Sequence, residues 1–133
     1  MQIKVANDVT LGVVIVDSAT GSPVSSFVEP SEAHTSALAA SLVVKASAGT
    51  LLSVMGYNNS SAVQYVQIHN AASVPADSAV PIIAFAVQPT DNFVYSVDDL
   101  GQAFSIGIVV CNSLTLTTKT LGSANCWFNV RYR

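Results

Sequence analysis

The sequence is built largely from short runs, about five to nine residues long, rich in valine, isoleucine and threonine. Glycine, asparagine, serine, proline and aspartate separate these runs. Because β-branched residues favour the extended backbone and the separating residues favour turns, the pattern predicts strands. The predicted strands are 2–6, 9–16, 41–47, 50–57, 63–69, 80–87, 92–97, 103–111, 114–119 and 124–132.

Many short strands at turn spacings of about 8 to 12 residues are typical of a β-sandwich. We therefore predict an all-β, jelly-roll-like β-sandwich. The composition shifts near residue 30, after the turn-rich stretch 18–23. Residues 1–33 are predicted to be an N-terminal arm or added strands, and residues 34–133 the sandwich body.

Two turn signals and one ambiguous segment complete this interpretation. Gly49 follows Ala48 between two apolar runs and predicts a tight hairpin, because glycine readily adopts a positive φ. Residues 58–61 predict a second turn of the same kind. Residues 32–40 are rich in helix formers, so they fit either a helix that opens at Pro30 or the start of a long strand.

Two predicted strands contain irregularities. Gln64 and Gln67 are three residues apart, which indicates either a bulge or a strand that is partly buried on both faces. Gly107 is a lone strand glycine, and such a glycine marks a bulge or a close approach of another backbone segment.

Charged residues make up 10% of the chain, against about 25% in a typical soluble domain. Hydrophobic residues make up 50%, which excludes intrinsic disorder. No apolar run approaches the roughly 20 residues that span a bilayer. No basic region precedes an apolar one at the N-terminus, so no signal peptide is expected.

The formal net charge is −3, and the five basic residues are not clustered. This distribution argues against binding to nucleic acid or to a membrane surface, both of which depend on clustered lysine and arginine. A surface with few charges is cheap to desolvate, so it suits a protein that contacts other proteins.

The titratable residues form no catalytic or metal-binding motif. The CxxC, HxH, HExxH, GxSxG, P-loop and GxGxxG patterns are all missing from the chain. Asp98 and Asp99 fit a solvated turn, with a cation site as the alternative. His69 fits a strand-end hydrogen bond, and His34 has no evident partner. We therefore predict no catalytic residues, no cofactor and no metal, and expect that the protein is not an enzyme.

Cys111 and Cys126 are the two cysteines of the chain. Free, buried thiols are the default for a protein made in the cytosol. An intrachain disulfide is the first alternative, if the last two strands pair in a suitable register. An intersubunit bridge is the second.

In the predicted strand 124–132, successive side chains point alternately to the two faces of the sheet. Trp127 and Phe128 point to opposite faces, with Trp127 on the side of Asn129 and Arg131. Trp127 is thus either an interface aromatic or part of a strand buried on both faces. Together with Arg131 and Arg133, it is our candidate for interface contacts.

The body of the sequence resembles a widespread family of small virion proteins of tailed bacteriophages. The similarity covers roughly residues 36–132 and rests on strand and turn patterns. These are 41–51 (Ser-Leu-Val-Val-Lys-Ala-Ser-Ala-Gly-Thr-Leu), 56–58 (Gly-Tyr-Asn), 63–67 (Val-Gln-Tyr-Val-Gln), 69–77 (His-Asn-Ala-Ala-Ser-Val-Pro-Ala-Asp), 104–113 (Phe-Ser-Ile-Gly-Ile-Val-Val-Cys-Asn-Ser), 118–120 (Thr-Lys-Thr) and 126–128 (Cys-Trp-Phe).

This resemblance implies a non-enzymatic β-sandwich of the virion, made in the host cytoplasm. The expected role is a capsid decoration or auxiliary capsid protein that docks on the shell and stabilises it. Its partners would be the major capsid protein or other virion proteins, and a homo-oligomer, with a trimer favoured, is expected. The alternative is a tail, neck or head-fibre component that binds carbohydrate. That alternative needs exposed aromatic residues, with Tyr57, Tyr95 and Trp127 as the candidates.

Overall fold

The computed structural model describes residues 28–133, which form nine strands and no helix. The strands are β1 (Ser31–His34), β2 (Ser41–Lys45), β3 (Gly49–Asn58), β4 (Gln64–Asn70), β5 (Ile83–Val87), β6 (Asp91–Ser96), β7 (Gln102–Phe104), β8 (Ile108–Ser113) and β9 (Cys126–Tyr132).

Two antiparallel sheets pack face to face as a β-sandwich. Sheet one has the order β1-β9-β3-β6, and the short β7 also pairs with β3. Sheet two has the order β2-β8-β4-β5. At most of its connections the chain passes from one sheet to the other. The strand order of the two sheets is that of a jelly roll. The predicted fold class is therefore confirmed.

The core lies between the two sheets and is filled by alternate residues of each strand. Val66 and Ile68 of β4 face Phe128 and Val130 of β9 across it, and all four side chains are almost fully buried. The ring of Phe93 lies 6.2 Å from that of Phe128 and 5.9 Å from that of Phe85, measured between centroids. Apolar burial of this kind is the main source of stability in such a sandwich.

Most predicted strands of the body are confirmed within a few residues. The segment 103–111 is divided into β7 and β8, because the chain leaves one sheet for the other between them. The prediction of a strand at 114–119 is wrong: these residues belong to a loop. Their alternation of leucine and threonine imitates a strand, but their carbonyl groups bind a glutamine side chain rather than a neighbouring strand. Predicted strands 2–6 and 9–16 lie outside the described residues.

The hairpin predicted at Gly49 is wrong. β2 pairs with β8 and β3 pairs with β6, β7 and β9, so the two strands lie in different sheets. A glycine is required at position 49 because the C-terminal backbone passes close to it. An added Cβ would lie 2.8 Å from the backbone oxygen of Arg133. The turn at 58–61 also joins the two sheets instead of closing a hairpin, and Asn58 Oδ1 accepts the Ser60 N–H there at 2.9 Å.

Both alternatives for residues 32–40 are wrong. β1 ends at His34, and after a bend Ala39 makes an isolated bridge to Cys126 before β2 begins. The predicted boundary between the N-terminal arm and the sandwich body, after residue 33, falls inside β1. This strand pairs along its length with β9. Residues 1–27, which hold most of the predicted arm, lie outside the described part of the chain.

The two irregularities each resolve into one of their alternatives. β4 pairs in unbroken register and is buried on both faces, so its glutamines mark two-sided burial. Gly107 marks a close approach, since an added Cβ would lie 2.3 Å from the backbone oxygen of Ala71.

Candidate functional site

The outer face of sheet one, here called the open face, carries two aromatic side chains next to each other. Trp127 on β9 is paired with Tyr57 on β3, and Tyr57 is paired with Asn92 on β6. Residues directly opposite on neighbouring strands have Cβ atoms about 5 Å apart, so the two side chains start as neighbours on this face. Trp127 is 42% exposed, and the alternative of a strand buried on both faces is therefore wrong.

The next row of the open face adds polar groups to these rings. His34, Asn129, Met55 and Val94 follow one another across β1, β9, β3 and β6. Asn129 Nδ2 donates to Glu32 Oε1 at 2.7 Å, which fixes the orientation of that amide. The two rows line an open cavity of about 800 Å³, here called the aromatic groove. Its lining residues are Glu32, His34, Thr35, Met55, Gly56, Tyr57, Asn92, Phe93, Val94, Trp127, Phe128 and Asn129.

The arginines predicted as interface residues lie near the groove. Arg131 is exposed on the open face, opposite Glu32 on β1 and Ser53 on β3. Arg133 is half-buried, and its backbone exchanges two hydrogen bonds with Thr50. The predicted sides of β9 are confirmed, because Phe128 and Val130 are buried while Trp127 and Arg131 are exposed.

Over its central strands β4 and β8, the outer face of sheet two is covered by two long connections, residues 71–82 and 114–125, here called the loop layer. Gln67 lies between the core residues Val66 and Ile68, so its side chain points outward, yet it is completely buried. Its Nε2 lies 2.8 to 3.1 Å from three carbonyl oxygens, of Thr115, Leu116 and Thr118. This single amide holds the connection 114–125 against the sheet.

A salt bridge joins the two halves of the loop layer. Lys119 is buried, and its Nζ donates to Asp77 Oδ1 at 2.8 Å. The same oxygen accepts the N–H of Leu121, and the backbone of Lys119 bonds to that of Ser78 and Ala79. The hydrogen bond from Lys119 and that from Leu121 lower the pKa of Asp77, so the carboxylate is charged at neutral pH.

The surface of the loop layer combines aliphatic side chains with serine and threonine and carries no unbalanced charge. Asp77 and Lys119 are the charged residues of 71–82 and 114–125, and they pair with each other. Six large aliphatic side chains are exposed on these two connections. They are Val74, Val80, Ile82, Leu114, Leu116 and Leu121.

Several titratable side chains are buried beneath the loop layer. His69 Nε2 lies 3.1 Å from Gln67 Oε1, as expected for a histidine near a strand end. Burial, together with the positive charge of Lys119, lowers the pKa of His69, so its ring is neutral at pH 7. Burial raises the pKa of Cys111 to about 11, which makes its thiol a poor nucleophile.

Cys111 and Cys126 are both free and buried, which confirms the default prediction. The disulfide alternative is wrong, because β8 and β9 belong to different sheets. Burial raises the pKa of Cys126 to about 11 as well.

The remaining candidates have structural roles or none. Asp98 Oδ1 accepts the N–H groups of Leu100 and Gly101, so the solvated-turn interpretation of this acidic pair is confirmed. Within residues 28–133, no group of three His, Cys, Asp or Glu side chains could hold a metal ion. The same residues include no helix long and apolar enough to cross a membrane.

The sequence analysis missed the loop layer, because charge does not distinguish it from the rest of the chain. Residues 71–82 and 114–125 hold one charged residue each, close to the 10% average of the chain. Their distinguishing feature is the exposure of their aliphatic side chains, which depends on tertiary structure.

A comparison of the chain with protein-family models, curated proteins and solved structures finds no match in any of the three. The resemblance to phage virion proteins thus stays a prediction from sequence patterns.

Proposed function

We propose that this chain is a non-enzymatic structural protein of a tailed-phage virion, a capsid decoration or auxiliary capsid protein. It docks on the capsid shell through the loop layer. The observation that carries the proposal is the composition of that layer: six exposed aliphatic side chains and one pair of charges that neutralise each other.

The loop layer has the properties of the central part of a protein–protein interface. Such centres are apolar and depleted of charged residues, because an unpaired charge is expensive to desolvate. Fully burying an exposed valine, leucine or isoleucine side chain contributes roughly 1.5 to 3 kcal/mol. Exposed apolar side chains grouped on one face of a soluble protein often mark an interaction site.

The buried titratable residues support a role without catalysis. His69, Cys111 and Lys119 are the groups that a catalytic site would draw on, and all three are buried beneath the loops. Lys119 is engaged with Asp77 and His69 with Gln67, so both stabilise the layer. The jelly roll is a common architecture of viral capsid domains, although fold alone does not assign function.

A quantitative docking assay tests the proposal. Capsids of the phage that carries this gene, prepared without this protein, are mixed with the full-length chain, and co-sedimentation gives the bound fraction. Replacing Leu114 and Leu116 with serine should weaken docking at least tenfold, by the burial energy given above. The control is Val94→Ser, which removes a still more exposed apolar side chain from the open face.

Three results would overturn the proposal or its geometry. Purified virions that lack the protein by mass spectrometry would remove the virion role. Undiminished docking of the loop-layer variant, with loss of docking on Trp127→Ala, would instead place the interface on the open face. A chain that stays monomeric at high concentration would contradict the expected homo-oligomer.

A further inference from the structure

We infer that the aromatic groove on the open face binds a neutral oligosaccharide. The inference goes beyond the proposed docking function and involves the opposite face of the sandwich. A chain that docks through the loop layer turns the open face away from the shell, where the groove remains accessible to ligands in solution.

The paired rings of Trp127 and Tyr57 provide a stacking platform. A pyranose has a face of C–H bonds with small positive charge, which complements the negative face of an aromatic ring. Two aromatic residues opposite each other on adjacent strands offer room for neighbouring sugar units. The pairing of β3 with β9 fixes the spacing of the two backbone positions from which the rings project.

Polar groups surround this platform at its edges. Asn92 is exposed beside Tyr57, and the amide of Asn129 is oriented by its 2.7 Å hydrogen bond to Glu32. Amides and carboxylates are well suited to sugar hydroxyls, since each hydroxyl both donates and accepts. An apolar surface with a few fixed polar groups is the usual composition of a small-ligand site, and about 800 Å³ lies within the usual size range.

The groove has few charged side chains, and this composition favours an uncharged ligand. Its twelve lining residues include one carboxylate, Glu32, and neither lysine nor arginine. Phosphate and sulfate groups require such cations, so nucleic acids and sulfated glycans are poorly matched. A neutral, hydroxyl-rich chain complements this surface both in charge and in hydrogen-bonding capacity.

Trp127 is the single tryptophan of the chain, so its fluorescence reports on the groove directly. The full-length protein is screened on an array of neutral oligosaccharides of glucose, galactose and N-acetylglucosamine, with sulfated and sialylated glycans as the anionic arm. The best neutral probe is then titrated while tryptophan emission is recorded. We expect saturable binding with a shift of the emission to shorter wavelength.

Single substitutions distinguish a loss of ring stacking from a general loss of folding. By isothermal titration calorimetry, Trp127→Ala should lose about tenfold in affinity, the loss of one aromatic contact, and Trp127→Phe should retain part of it. Asn92→Ala should weaken binding by a smaller factor. The matched control is Leu100→Ala, which truncates a highly exposed side chain on the β6–β7 turn, outside the groove.

The inference is overturned by a full array without neutral binders, by a preference for the anionic arm, or by binding that survives Trp127→Ala. A shift of emission with protein concentration alone would assign the groove to self-association instead. Because the assay uses the isolated chain, its failure would leave the docking assay unaffected. Failure of docking would equally leave the glycan result standing.

Discussion

The outer faces of the two sheets show how one sandwich produces two different surfaces. Val94 on the open face is 67% exposed, whereas Val109 on the outer face of sheet two is completely buried. Both valines lie on strands and point away from the shared core. The difference arises from the loop layer, which folds back over sheet two and gives that side a second, smaller interior.

The small interior under the loop layer is polar, in contrast to the main core. Gln67, His69 and Ser113 are buried there. Gln67 and Ser113 donate to carbonyl groups of the loops, and His69 makes its hydrogen bond with Gln67 on the same strand. Open strands need no such partners, because water satisfies their side chains. The comparison shows that these loops are fixed by side-chain hydrogen bonds to carbonyl groups as well as by apolar packing.

The largest effect is expected at Gln67. Gln67→Met keeps the volume but removes the donor for three loop carbonyls and the acceptor for His69. We expect a loss of about 3 kcal/mol in the free energy of unfolding, from chemical denaturation. Asn129→Ala removes an amide from the open face and is the control. A loss at Gln67 no larger than at Asn129 would contradict the role of Gln67 in holding the loops.

A matched pair of valines measures the coverage directly. Val109→Ala should cost about 2 kcal/mol, because it deletes two buried methyl groups and leaves a cavity. Val94→Ala should change stability by less than about 0.5 kcal/mol. Both are measured by chemical denaturation. Equal costs would mean that the two outer faces are covered alike.

The salt bridge of the loop layer is expected to show an asymmetry. Asp77→Ala leaves the buried ammonium of Lys119 without its carboxylate, whereas Lys119→Met replaces that ammonium with an apolar side chain. The first change should destabilise the protein more than the second, because an uncompensated buried charge is costly. Thermal unfolding of the two variants gives the ranking. The reverse order would show that the salt bridge does not hold the layer.

The smallest effect is a pH dependence of the folding stability, and it arises from His69 beneath the loop layer. The pKa of His69 is lowered in the folded state, so the unfolded chain binds a proton more readily than the folded chain. Stability should fall as the pH decreases below the usual histidine value of about 6.5. Denaturation between pH 7 and pH 5 measures this loss, and His69→Gln should reduce it. His34→Gln on the open face is the control, and an equal effect of both substitutions would contradict the assignment.

The alternation of side chains along β9 was sufficient to predict which residues of that strand lie on the open face. The alternation in β9 places Trp127 and Arg131 on one side and Phe128 on the other, as the structure confirms. Local patterns also located most strands of the body. What they missed is the assignment of strands to sheets, as at Gly49, because pairing joins residues that are distant in the chain.

The loop layer was beyond local reasoning for the same physical reason. The leucine and threonine alternation of 114–119 satisfies every local rule for a strand. Its conformation is decided by Gln67, whose amide is 48 to 51 residues away along the chain. The pairing of Asp77 with Lys119 likewise spans 42 residues. Tertiary hydrogen bonds thus overrode the local preference.

The two buried thiols have a consequence for the covalent chemistry of the protein. A disulfide forms only where two sulfur atoms can meet, and here Cys126 lies in the core between the sheets while Cys111 lies on the opposite side of sheet two, beneath the loop layer. The described body should therefore keep its thiols unpaired in an oxidising buffer as well as in a reducing one. Since the chain has two cysteines in all, a cysteine introduced at the exposed Leu100 would be its one readily accessible thiol, a ready handle for labels or displayed cargo.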